Sequence, residues 1–261
     1  MTAGGAKGPE KVYEPFLRDL GAAFGERFLS ATVYGSAARG DWRPGDSDIN
    51  VLVILDEKAI LDLENAFDFT EGWRKKGIAS PLFLTEEYVR GALDSYPLEF
   101  LNMRSAYRVI HGPDPLKELR FDRRAVRLQC EREARGYLLH LRRHYLAGRG
   151  RPRETRALIE ASLPGYYALF RGLLWIAEGA IEPDGGESVR RAAALFGLDG
   201  DLFGCLETVR RGKKEKKEEL LRLADRYLEE ARKLVIAVDR WEPDLSGGTG
   251  ADSEREERKD G

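Results

Sequence analysis

The run Ile49 to Leu55 (INVLVIL) constrains this chain more than any other stretch. A strand alternates its side chains between two faces, so a run apolar at both parities fits an inner strand covered on both sides. Helices must then pack above and below a sheet, and the flanking sequence supplies candidates. Val12, Phe16, Leu20, Ala23 and Phe24 recur at helical spacing and predict a helix over 11–28, ending near Gly25. Leu29 to Tyr34 is a short β-prone run broken by Gly35-Ser36, and Pro44-Gly45 is a turn signal. Residues 57–76 read as a helix and Ile78 to Leu84 as a strand. A short helix follows Thr85, with Glu86 and Glu87 suited to its first turn. Phe100 to Ile110 reads as a further strand closed by His111-Gly112-Pro113.

Beyond about residue 120 only helical periodicity is found. Val126, Cys130, Ala134, Tyr137, Leu141 and Tyr145 make one stripe, predicting a long amphipathic helix over 122–147. Further helices are expected over 153–180, interrupted at Pro164-Gly165, and over 187–196, 200–211 and 215–240. In the last, Leu220, Ala224, Tyr227, Ala231, Leu234 and Val238 form the buried stripe, and the mixed-sign KKEKKEE run reads as a solvated start. Strands alternate with helices in the first half and helices alone fill the second, so two domains are expected, 11–115 and 120–240. The Gly-rich and charged ends, 1–10 and 244–261, are expected to be disordered tails.

The chain has 261 residues, 42% of them hydrophobic, enough for a sizeable core. Its 43 basic and 45 acidic side chains leave a formal net charge of −2, which gives no global attraction to nucleic acid or anionic membrane. Cys130 and Cys205 are its two cysteines, without a CxxC pair, so neither a disulfide framework nor a structural zinc site is expected. No signal-peptide pattern opens the sequence and no run approaches the roughly 18 apolar residues of a membrane span. These features together lead to the expectation of a soluble cytoplasmic protein.

Chemistry concentrates in YGSAARGDWRPGDSDINVLVIL, residues 34–55. Small residues at a strand-to-helix junction let backbone N–H groups approach an anion, and the Ser36 hydroxyl adds a donor. Gly35 and Ser36 are therefore candidate phosphate binders, with Arg39 placed for a charge-assisted contact. Asp48 and Asn50, two residues apart on a strand, project to one side, where a pair of carboxylates would hold Mg²⁺ against phosphate oxygens.

A Gly-Ser, eleven intervening residues and then Asp-Ile-Asn before an apolar strand resembles the signature of the polymerase-β-type nucleotidyltransferase superfamily. GSAARGD with SDIN is similar to minimal and kanamycin-type nucleotidyltransferases, and the wider sequence to uncharacterised bacterial predicted nucleotidyltransferases. The resemblance implies an α/β (α+β) domain with a mixed sheet, followed by an all-α helical bundle. It implies an NTP bound with Mg²⁺ by Gly35, Ser36 and Asp48, and transfer of a nucleoside monophosphate to a hydroxyl acceptor, small or macromolecular. It also implies carboxylates where this chain has none. Asn50 stands at the second metal position, and the strand 78–84, where a third acid is expected, has no acid. An amide oxygen is neutral and bridges two ions poorly, so weak activity is expected; a catalytically degenerate nucleotide-binding, antitoxin-like or scaffold module is the alternative. Asp46, by a shift of the pair to 46 and 48, or Glu99 would supply a replacement carboxylate.

The helical half has its own charged stripe, Arg124, Arg127, Glu131, Arg135 and Arg142. It reads either as a solvated ion-paired face or as a site with Glu131 as general base for the acceptor. Arg135 and His140 match the Arg-x4-His pattern of HEPN-type ribonucleases, a match that an Arg-rich helix produces easily by chance. His111 and His144 read as surface or satisfied polar residues. Oligomeric state is not encoded in any of these patterns, which leaves a homo-oligomer open.

Overall fold

The computed structural model describes residues 9–40, 42–43, 47–180 and 185–243. Asp46, the Pro44-Gly45 turn and the terminal segments 1–8 and 244–261 lie outside the described residues. The chain divides into two compact units, residues 1–93 with 100–120, and 94–99 with 121–261.

The first unit is built on four strands. β1 (Phe28–Tyr34) lies between β2 (Asn50–Leu55) and β4 (Tyr107–His111), antiparallel to both, and β3 (Leu82–Leu84) adds parallel to β2. The order is β3-β2-β1-β4, a mixed sheet with β1 and β2 inside. One face carries Ala31, Val33, Val51, Val53 and Leu55 and packs against Tyr13, Phe16, Leu20 and Phe24 of α1 (Tyr13–Phe24). Those four positions repeat at i+3/i+4, so one helical stripe covers the sheet. Trp73 joins them, edge-on to Phe16 at 4.9 Å, and its indole N–H donates to Asp19 Oδ2 at 3.0 Å. The opposite parity is buried too, with Thr32 and Leu52 fully enclosed and Ile54 nearly so. The inner strand covered on both faces is thus as its sequence requires.

Three expectations are corrected. The helix over 57–76 is two 3-10 turns, Ala59–Leu61 and Leu63–Ala66, before α3 (Phe67–Lys75) begins. Asp56 Oδ1 accepts from the amides of Lys58 and Ala59, at 3.0 and 2.6 Å, offering the backbone a local turn in place of a helix. After α2 (Ser36–Arg39, below) and α4 (Glu86–Gly91, capped by Thr85 Oγ1), the run from Phe100 is not one strand. Its first part is α5 (Pro97–Ser105), because Pro97 occupies the first helical position, where its missing N–H costs nothing; only Tyr107–His111 pairs with β1.

The second unit is helical: α6 (Arg123–Gly148), α7 (Pro152–Glu178), α8 (Gly185–Phe196), α9 (Gly200–Arg210) and α10 (Lys217–Arg240). Asp122 and Asp199 cap α6 and α9 through bonds to the amides of Ala125 and Leu202. Its core takes Cys130 and Leu141 from α6, Leu163, Tyr166 and Phe170 from α7, Phe203 from α9 and Tyr227 and Leu234 from α10. The third correction is α7, which runs unbroken through Pro164-Gly165. An interior proline costs about 3 kcal/mol. Offsetting it are the buried stripe Ile159, Leu163, Tyr166, Phe170 and Leu173, and the Tyr137 ring, which fills the space beside Gly165 where a Cβ would lie 2.9 Å from Cζ. No helix among the described residues is long and apolar enough to cross a membrane.

Candidate active site

β1 ends at Tyr34 and the chain turns at Gly35, with φ 73° and ψ −143°, a combination open only to glycine. The Gly35 amide donates to the Ala106 carbonyl at 3.0 Å, which pins the turn to the residue before β4. Gly35 O accepts from the amides of Ala38 and Arg39, leaving the N–H groups of Ser36 and Ala37 without an intrahelical acceptor. α2 is a single turn, closed by Gly40 in the left-handed region, so its dipole is slight and the backbone N–H groups are what it offers an anion. Arg39 is exposed and already has an interaction partner of its own.

Asp48 is exposed just ahead of β2. Ile49 bridges Ile78 in parallel and Asn50 opens β2 directly opposite Tyr34. The two-residue period brings Asp48, Asn50 and Tyr34 to one face, with Tyr107 the neighbour of Tyr34 on β4. Asn50 Nδ2 lies 3.6 Å from the point a Cβ of Gly35 would occupy, so the amide faces the glycine turn. Among the described residues, the Ser36 hydroxyl, the Asp48 carboxylate, the Asn50 amide and the Tyr34 hydroxyl form no hydrogen bond. Burial holds the Tyr34 phenol above the usual range, so it stays a protonated donor. The Tyr107 hydroxyl, in contrast, donates to Asp114 Oδ2 at 2.9 Å. Sequence reasoning missed Tyr34; its place at a strand end, immediately before Gly35, was the available signal.

A metal pair requires more charge than this set offers. β3 and the Ile78 bridge bring Ile78 to Leu84 alongside β2 without an acid. Glu99 sits on the first turn of α5, not on a strand, and accepts from Gln129 Nε2 at 2.7 Å within the second unit. Among the described residues no three His, Cys, Asp or Glu side chains are grouped to hold a metal. With Asp48 as its one carboxylate, the set fits at most a single hard cation shared with a ligand's phosphates and does not fit two bridged ions.

Other candidate positions are engaged elsewhere. Glu131 accepts from Arg127 at 3.0 Å and Arg135 at 2.9 Å. The Arg135 hydrogen bond, despite some burial and with help from Arg127, holds its carboxyl below the usual range, which favours an ion-paired face over a general base. Arg135 also pairs with Asp239. His140 and His144 stack on the face of α6, and His111 stacks on Phe28 at 4.6 Å. A cleft of about 750 Å³ opens at the opposite end of β1 and β2, beside Leu29 and Leu55, but Glu57, Glu86 and Glu87 line it and would repel phosphate.

Residues 17–89 match the family model described as a nucleotidyltransferase domain. No curated protein matches the chain. Among solved structures, the chain is similar to the spectinomycin adenyltransferase AAD(9) from Enterococcus faecialis, solved with ATP and spectinomycin. Identity is 13% with a TM-score of 0.48, over 85% of this chain and 100% of that one. The matched segment contains the Gly35 turn, Asp48 and Asn50 in the sheet described above, so this part of the chain is similar to a nucleotidyltransferase domain.

Proposed function

We propose that the Gly35 turn and the strand end at Asp48 and Asn50 bind a nucleoside triphosphate and transfer its nucleoside monophosphate to a hydroxyl acceptor. The observation that supports this reading is the glycine-only turn at Gly35 with the Asn50 amide against it, Ser36 next in the chain and Tyr34 and Asp48 on the same strand face, their side chains without internal hydrogen bonds among the described residues. Backbone N–H groups of Ser36 and Ala37 and the Ser36 hydroxyl hold phosphate oxygens. Arg39 adds positive charge at the exposed edge. Asp48 is the residue that would hold Mg²⁺, which when bound neutralises phosphate charge and aligns the phosphates for in-line attack. The acceptor oxygen forms a bond to the α-phosphorus as the bond to the bridging oxygen breaks and diphosphate leaves. Positioning and electrostatic stabilisation supply most of the catalysis in such a transfer. Asp48 is the one carboxylate of the described site able to take the acceptor's proton.

The donor set also supports a second reading, a nucleotide-binding module without turnover, because two carboxylates of the family pattern are absent. Melting of the full chain with each of the four NTPs, with and without Mg²⁺, tests binding; a rise in melting temperature is expected. Incubation with labelled NTP and candidate hydroxyl acceptors, beside Asn50→Asp, separates the readings. Turnover by the unaltered protein excludes the module without turnover. Absence of both turnover and any NTP-dependent shift refutes nucleotide binding.

A further inference from the structure

We propose that Asn50 acts as a hydrogen-bond donor to a phosphate oxygen of the nucleotide, in place of a metal ligand, and that nucleotide binding therefore persists without divalent metal. The inference rests on the nucleotide-binding reading above and deepens it.

Three observations carry it. The end of the Asn50 side chain reaches the Gly35 turn, with Nδ2 3.6 Å from the point a Cβ would occupy, and rotation of the unpartnered amide presents its N–H groups there at no cost in internal hydrogen bonds. The amide has no hydrogen-bond partner among the described residues, so no internal contact is broken when a ligand takes it. Tyr34, directly across the strand pair from Asn50, and Ser36, next to Gly35, likewise have hydroxyls without a hydrogen-bond partner among the described residues. At neutral pH phosphate oxygens are acceptors, and an amide NH₂, two hydroxyls and two backbone N–H groups are donors. The set is complementary to phosphate directly, whereas two metal ions would need carboxylates that β3 and Asn50 do not provide. Asn50 thus removes one negative charge from a site that must accept several.

Equilibrium titration of the full-length protein with ATP, in Mg²⁺ and in EDTA, tests this with three chains: unaltered, Asn50→Ala and Asn50→Asp. The unaltered protein is expected to bind ATP in EDTA within about tenfold of its affinity in Mg²⁺. Asn50→Ala loses about fivefold or more in EDTA, the effect of a donor to a charged acceptor. Asn50→Asp, the same shape with opposite preference, loses at least about tenfold in EDTA and regains affinity in Mg²⁺. Inorganic triphosphate, used as a competitor in EDTA, shows the same loss with Asn50→Ala. Urea unfolding of each variant confirms that it is folded, and Asn50→Asp preserves side-chain volume should alanine perturb the strand. ATP binding that disappears in EDTA, an unchanged affinity in Asn50→Ala, or a loss confined to ATP and absent for triphosphate would overturn the inference while leaving nucleotide binding intact. No binding by the unaltered protein in either buffer overturns the nucleotide-binding reading itself.

Discussion

Replacing Gly35 by alanine separates backbone strain from steric collision, because Gly40, five residues on, provides an internal control. Both glycines have positive φ, 73° and 88°, but their ψ values are −143° and 10°. The second pair of angles is left-handed helical, which alanine adopts at a cost of about 1 kcal/mol. The first lies in a region that is essentially glycine-only, at a cost of up to about 3 kcal/mol. A Cβ on Gly40 would meet nothing within 4 Å, and one on Gly35 would make only an ordinary contact with Asn50 Nδ2 at 3.6 Å. Collision therefore adds nothing in either case, and Gly35→Ala should cost about 2 kcal/mol more than Gly40→Ala through the backbone alone. Hydrogen exchange of the slowest β1 amides reads the stability of the first unit independently of the second. The same Cβ would lie against the Asn50 nitrogen, so ATP affinity should fall in Gly35→Ala and hold in Gly40→Ala. Equal stability losses for the two variants would mean that the turn relaxes into left-handed geometry and that Gly35 is not held in a glycine-only conformation.

Two further outcomes follow from particular groups. Burial alone would raise the Glu207 carboxyl, but hydrogen bonds from Arg210 and Arg211 outweigh it and hold it at about 2 against an ordinary 4.5. A depressed carboxylate stabilises the fold above its unfolded value and loses that contribution as pH falls, here from about 4.5 toward about 2. Urea unfolding of the second unit should lose about 1–2 kcal/mol more across that window than in Glu207→Gln; identical slopes would refute the coupling. Thr32, fully buried on β1, has a hydroxyl without a hydrogen-bond partner. Thr32→Val should be neutral or stabilise by about 1 kcal/mol in chemical denaturation, and a loss of similar size would show that the hydroxyl has a partner, such as a buried water.

Much of this architecture is legible in local pattern. Phe16, Leu20 and Phe24 announce α1, Val126, Cys130 and Ala134 announce α6, and the two-sided apolar run announces β2, because each period is set by the element itself. The residues proposed for the site also stand out in local pattern: Gly35 and Ser36 by their junction, Asp48 and Asn50 by their two-residue spacing. What failed was decided by contacts beyond the window. Phe100 to Ile110 is one apolar run in sequence, yet Leu98, Phe100, Leu101 and Met103 are buried from a helix and only the last part pairs with β1. Pro164 breaks a helix in isolation and does not break α7, because packing on both sides outweighs one lost bond. Tyr34 joins the site through antiparallel register with Asn50, and register is set by the whole strand pair, not by either strand alone.

That register also fixes what Asn50 does to the protein without ligand. Positions 48 and 50 face the same way, about 7 Å apart by strand rise. Two carboxylates there would repel by about 0.6 kcal/mol in a water-like dielectric, and by more where the surroundings are less polar. Asp48 is exposed but Asn50 is half-buried against the Gly35 turn, so a charge at 50 would be the poorly hydrated one. The unaltered chain avoids this because its second residue is neutral. Asn50→Asp should therefore lower the stability of the ligand-free first unit by about 0.5–1 kcal/mol at low salt, a loss that high salt screens. Mg²⁺ should reverse it more effectively than an equal ionic strength of Na⁺, since a divalent ion can sit between two carboxylates and a diffuse atmosphere cannot. Hydrogen exchange of β1 and β2 in the three salts measures the effect directly. If Asn50→Asp is as stable as the unaltered protein at low salt, residues 48 and 50 do not face each other's field, and the shared face inferred from the register would be wrong.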